Sequence, residues 1–136
     1  MMTTHSWSAE YNINVKRLDV QHRMLVKLVD NLHDAWVART DKTVLKDLLV
    51  ELLEFLQMHF SFEEQLMKEY DFPDIAEHQR QHRTILRRLN ELVTLASSEK
   101  PPTSDSTYDI AADWALAHIS DQDNILGNFL NSKGIY

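Results

Sequence analysis

Apolar positions along this chain recur at alternating steps of three and four, the repeat of helices that each bury one face. Leu18, His22, Leu25, Val29, Leu32 and Trp36 form the first row, predicting a helix from about Asp19, its N-cap, to Ala38. After a turn at Arg39, Thr40 and Asp41, with Thr40 or Asp41 as cap, a second row takes over. It runs through Leu45, Leu48, Leu52, Phe55, His59, Phe62, Glu63, Leu66 and Tyr70. Pro73 can end that helix and open the next. The third helix begins near Asp74, with Glu77 placed to complete a capping box. It turns His78, His82, Ile85, Leu89, Leu92 and Ala96 inward. A polar loop with paired prolines spans 96–107. The fourth helix runs from about Ser106 to Asn131, with Trp114, His118, Ile119, Leu126 and Phe129 inward and Gly134 closing it. The expected class is all-α, an up-down-up-down four-helix bundle over residues 18–131. Ahead of it, Trp7, Tyr11, Ile13 and Val15 lack the helical repeat. The dyad spacing of Tyr11, Ile13 and Val15 predicts an extended arm, 1–17, laid across the bundle.

Composition narrows the class further. Two glycines and three prolines in 136 residues suit a helical chain of this length, read as a single domain, 1–136. A net charge of −7 argues against nucleic acid and anionic membrane surfaces as partners. The absence of cysteine excludes disulfides, thiolate ligands and iron–sulfur clusters. No apolar run approaches membrane-spanning length and no secretory signal opens the chain, so the cytoplasm is the expected compartment.

Polar residues inside the apolar rows carry the chemistry. His59 and Glu63 are four apart, as are His78 and His82, so each pair shares one helical face. Folding about Pro73 turns both pairs toward a common interior. An ionised Glu63 on an inward row needs a partner. His22 and His118 occupy equivalent positions on the first and fourth helices, while Glu64, one step round, should face solvent. His33 lies off its row and is expected in solvent, and His5 lies in the arm. On the fourth helix either Asp121 or Asp123 could join the cluster. On an ideal helix Asp123 lies ~140° away from His118, and a π-type widening would bring it back. Five imidazoles and two carboxylates exceed the needs of one metal and imply two ions. If both carboxylates bridge, together with a solvent oxygen, two octahedral ions keep one open place between them. Nitrogen and oxygen donors without sulfur suit iron, with zinc or manganese as competitors.

These residues carry a resemblance. Leu18-Asp-Val-Gln-His22, His59-x3-Glu63, His78-x3-His82 and His118-x4-Asp123 resemble, in order, the full ligand signature of the hemerythrin family. The region of Trp7 and Tyr11 is similar to its bacterial members. The resemblance implies reversible O2 binding at a non-haem di-iron centre with a bridging oxo or hydroxo group. It assigns His78, His82 and His118 to the saturated iron, His22 and His59 to the iron with the open place, and Glu63 and Asp123 to the bridges. Asp123 is thereby chosen over Asp121. Trp114, Ala115 and Ile119 are the implied O2-pocket residues. Ala115 is small where the family often carries a bulkier apolar residue, which predicts ready access for azide and fast autoxidation. A carrier or store, or the O2- or redox-sensing input to a fused or partner output domain, are both served by such a module, and no catalysis is expected. A di-iron oxidase or peroxidase is the competing class. Those of the glutamate-rich bundle type use more carboxylates than histidines, the reverse of the balance here. A zinc-holding structural bundle is the third reading.

Overall fold

A computed structural model describes residues 12–38, 41–96 and 116–136. The expectations for His5, Trp7, Tyr11, the 97–115 segment, Trp114 and Ala115 fall outside the described residues. Helix α1 spans Lys16–Val37, α2 Lys42–Glu69 and α3 Ile75–Ala96. The fourth helix is described from residue 116, passes through a π-helical segment, Ile119–Asp123, and continues as α4, Asn124–Ser132. Together they form a four-helix bundle, with α2 packed against both α1 and α3. None of the described helices is long and apolar enough to cross a membrane.

The α1 start differs from the sequence expectation. The helix opens at Lys16, after an extended Val15 that offers no side-chain cap. Asp19 sits inside the first turn instead, where its Oδ1 accepts the Ile13 backbone N–H at 2.8 Å and so ties the arm to the helix. Ile13 and Val15, two apart, are both buried, so the last residues of the arm do lie across the bundle. Asp41 caps α2 by accepting from Thr43 N at 2.7 Å. Glu77 turns its carboxylate to Arg80, at 2.6 and 2.8 Å, rather than back toward Asp74. That i,i+3 pair holds Glu77 down to a pKa of about 2.

The α3 row is the expected one: His78, His82, Ile85, Leu89, Leu92 and Ala96 are all buried. The α2 row is not. Leu45, Leu49, Leu52, Leu56, His59, Phe60, Glu63 and Met67 face the interior, whereas Leu48, Phe55, Phe62, Leu66 and Tyr70 are half-buried. The cause is position. Touching helices on both sides, α2 carries two apolar rows side by side, and the choice between steps of three and four has no unique answer. His33 is buried too, at 5% exposure, against the expectation that it faces solvent.

Two helix ends use left-handed residues. After α2, Asp71 adopts φ 55°, and Phe72 N returns to Met67 O at 2.9 Å, which places the buried Phe72 ahead of Pro73. After α4, Gly134 adopts φ 83° and Ile135 N reaches Leu130 O at 2.9 Å. Gly127 serves a different end. A Cβ there would stand 2.5 Å from Ile13 O and 2.8 Å from Ile13 Cβ, so the missing side chain lets the arm lie against α4. Gly127→Ala should therefore displace the arm. Overpacking of about 1–3 kcal/mol should outweigh a helix-propensity gain of ~1 kcal/mol. Denaturant unfolding of the variant should show a lower midpoint with helical content unchanged. An unchanged or higher midpoint would contradict the contact.

The bundle interior is divided in two. One apolar cluster gathers Leu25 to Leu32, Leu45 to Phe60, Ile85 to Ala96, and Leu116 with Ile119. The other joins Ile13, Val15, Leu18, Met67, Phe72, Leu126 and Leu130. On α1 and α3 the histidines fall between these clusters, while His59 on α2 and His118 on the fourth helix sit at the edge of the first, with Glu63 and Asp123 between the two. A single polar layer crosses the core at that level.

Candidate metal centre

Each helix delivers its part of this layer through its own spacing. The α-helical step of four stacks His59 with Glu63 on α2 and His78 with His82 on α3. The π-helical segment lies between His118 and Asp123, and its i→i+5 pattern brings residues five apart onto one face. Asp123 is accordingly fully buried, while Asp121 is exposed and lines a surface cleft with Arg80 and Arg88. His22, His59, Glu63, His78, His82, His118 and Asp123 are at most 4% exposed.

Their potential ligand atoms converge in two groups. One comprises Glu63, His78, His82, His118 and Asp123, the other His22, His59, Glu63 and Asp123, with the atoms of each group within 4.8 Å of one another. The two carboxylates are common to both and divide their oxygens. Glu63 Oε1 lies 2.9 Å from His82 Nε2 and 3.5 Å from His78 Nε2. Its Oε2 lies 3.5 Å from His59 Nε2 and 3.6 Å from His22 Nε2. Asp123 Oδ1 is 3.0 Å from both His78 and His118, and Oδ2 is 3.0 Å from His22.

These contacts are close without satisfying the carboxylates. None of the four oxygens of Glu63 and Asp123 receives a well-directed hydrogen bond, nor does His78 Nε2. Two imidazole pairs also meet nitrogen to nitrogen, His22 with His59 at 3.1 Å and His82 with His118 at 3.0 Å. Buried carboxylates without donors and imidazole nitrogens facing each other need positive charge between them. The donor set fits metal ions that accept nitrogen and oxygen ligands.

Without metal, protons take that place. Burial opposes charge on His22, but Asp123 and Glu63 beside it prevail and raise its pKa to about 9. His118 is likewise opposed by burial and lifted by Asp123 to about 10. His78 is raised as well. Burial pushes the Glu63 carboxyl up, yet the neighbouring imidazoles, His59 first, hold it well below the usual range. Asp123 is opposed by burial and by Glu63, and His118 and His22 still hold it well below.

Residues around the layer orient the rings, and the sequence reading missed them. Gln21 Oε1 lies 2.6 Å from His59 Nδ1, Gln81 Oε1 3.1 Å from His118 Nδ1, and Glu64 Oε2 2.9 Å from His82 Nδ1. An oxygen acceptor at Nδ1 fixes the proton there and leaves Nε2 with a lone pair aimed inward. Glu64 is thus not a solvated bystander. It is half-buried, and its other oxygen accepts from Gln79 Nε2 at 3.0 Å. Phe60 lies parallel to His82 at 3.8 Å and meets His118 edge-on at 5.6 Å. Ile119, an expected O2-pocket residue, is buried in the same apolar cluster as Phe60 and Leu56.

Comparison with known proteins agrees with this geometry. A family model described as hemerythrin HHE cation binding domain matches residues 14–130. A bacteriohemerythrin of Stenotrophomonas maltophilia is 29% identical over 86% of this chain and 75% of its own. A bacteriohemerythrin of Methylococcus capsulatus is 26% identical over 96% of this chain and 100% of its own. Among solved structures, wild-type hemerythrin superposes with a TM-score of 0.83 at 27% identity, covering 91% of this chain and 95% of the other.

Proposed function

Because the chain belongs to the hemerythrin family, we propose that it binds O2 reversibly at a pair of iron ions held in the polar layer. The observation that carries this reading is the division of each carboxylate's oxygens between two histidine groups. His78, His82 and His118 would hold one ion, His22 and His59 the other, with Glu63 and Asp123 shared between them. The second ion, with fewer protein ligands, would be the one open to O2 or a small anion such as azide. When bound, the iron pair would supply the electrons that O2 takes up. The protein's own part is to present Nε2 lone pairs, to supply two anionic bridges, and to keep water out. Leu56, Phe60, Leu116 and Ile119 on one side and Leu18, Met67 and Leu126 on the other close the layer between dry walls. Carriage, storage and sensing all draw on this chemistry, and none requires a substrate to be turned over.

The test is optical. Protein loaded with ferrous iron without air should develop a visible absorption on exposure to O2 and lose it when O2 is removed. Continuous O2 consumption with an added reducing substrate would favour an oxidase instead. Tight retention of zinc with no response to O2 would favour a structural site.

Loading should also release protons. At pH 7 His22 and His118 carry protons in the metal-free protein, since their pKa values are about 9 and 10. Ligation needs the bare Nε2, so uptake of two ferrous ions should expel protons, those of His22 and His118 among them. Release in unbuffered solution should be larger at pH 7 than above pH 10. Uptake without proton release at pH 7 would contradict the assignment.

A further inference from the structure

The outward partners of the histidines are unequal, and the one carboxylate among those described stands in the five-residue group. In the five-residue group, His82 Nδ1 faces a carboxylate, Glu64 Oε2, at 2.9 Å. Glu64 is steadied by Gln79, and the His82 ring is fixed from its face by Phe60. In the other group His59 Nδ1 faces only the neutral amide oxygen of Gln21, at 2.6 Å. His22 Nδ1 is buried with no hydrogen-bond partner among the described residues. His118 has a neutral amide as well, Gln81. One imidazole in the layer is therefore shown backed by an anion, and it belongs to the group with more ligands.

A carboxylate on Nδ1–H draws that proton toward itself and makes Nε2 a stronger donor, more so than an amide does. A stronger donor favours the more highly charged ferric ion over the ferrous ion. We propose that Glu64 is a positioning residue that makes the two iron places electronically unequal, lowering the reduction potential of the ion held by His78, His82 and His118. This rests on the di-iron reading above. Its consequence is directional. The first electron removed from the fully reduced protein comes from the His82 side, and the His22–His59 side, which keeps the open place, holds its electron longer. The fully ligated ion thus acts as the electron reserve for the ion that meets O2.

Glu64→Gln keeps an oxygen acceptor at His82 Nδ1 and removes its charge. Gln21→Glu places a charge on His59 in the same way. The measurement is a spectroelectrochemical titration of the iron-loaded full chain without O2, in which two one-electron steps are followed. In Glu64→Gln the lower potential should rise by about 59 mV, a tenfold shift toward the ferrous form. In Gln21→Glu the upper potential should fall by a comparable amount, so both variants narrow the gap from opposite sides. Unchanged potentials in Glu64→Gln, with two irons retained, would overturn the proposal and leave the O2-binding reading standing. Should Glu64→Gln lose iron, Gln21→Glu decides alone: a lowered upper potential supports the tuning and an unmoved one refutes it. A wild-type chain that takes up no iron pair sinks the underlying function instead.

Discussion

Asp123→Ala should abolish binding of both irons, whereas Asp121→Ala should leave iron content and spectrum unchanged. The two positions are two residues apart in sequence and both lie in the π-helical segment. Their surroundings differ completely. Asp123 is 0% exposed, with His22, His78 and His118 each 3.0 Å from one of its oxygens. Asp121 is exposed beside Arg80 in a surface cleft. On the proposed assignment, loss of Asp123 would remove a ligand from both ions at once. It also leaves Glu63 as the one carboxylate that reaches the inward Nε2 atoms among the described residues. Breaking one partner out of a buried ionic set costs roughly 3–5 kcal/mol, so the variant should melt well below wild type as well. Iron analysis after gel filtration checks the binding, and thermal unfolding checks the stability. Equal iron content in the two variants would refute the placement of Asp123.

Chelation should destabilise the protein, and by more at pH 9 than at pH 6. Without metal the layer is held by imidazolium–carboxylate pairs. His22 and His118 have folded pKa values of about 9 and 10, raised above the ordinary value. The stability they contribute is fully present below pH ~6.5, the ordinary histidine value. It is lost as pH rises through 9 and 10. Glu63 and Asp123 are shifted down by the same pairs, so on the acid side that stability fades only below the ordinary carboxylate range. The metal-free protein should therefore be most stable between about pH 4.5 and 6.5. In the loaded protein, metal replaces the protons and the alkaline loss disappears. Once pH has passed 10 and the carboxylates have lost their imidazolium partners, the difference should have grown by about 3–5 kcal/mol, a further fall in melting temperature of roughly 10–20 °C. Melting curves of loaded and chelated samples across this range should diverge as pH rises. Parallel curves would show that the layer does not exchange protons for metal.

Much of this was legible in the chain, and the exceptions share a cause. The α3 row could be read because one face of that helix is apolar and the other charged. The α2 rows could not, because α2 touches helices on both sides, and periodicity does not say which of two neighbouring rows lies deeper. Distance from a single row puts His33 and Glu64 in solvent, although a bundle interior is wider than one row. Gln21, Gln81 and Glu64 act on histidines of other helices, a relation no spacing within one helix expresses. A signal was present all the same. Gln21 directly precedes His22, Gln81 directly precedes His82, and Glu64 directly follows Glu63. In these three cases the residue beside a ligand position points at the neighbouring helix, where the next histidine stands. Gly127 left no such mark, since its role depends on where the arm comes to lie.

A pair of ions sharing Glu63 and Asp123 would keep one open place between them. O2 can be titrated into the fully reduced, iron-loaded chain, with iron counted in the same sample. Two irons per chain and one O2 taken up per iron pair, released again under vacuum, are expected. One iron per chain, or O2 uptake that never saturates, would contradict such a pair.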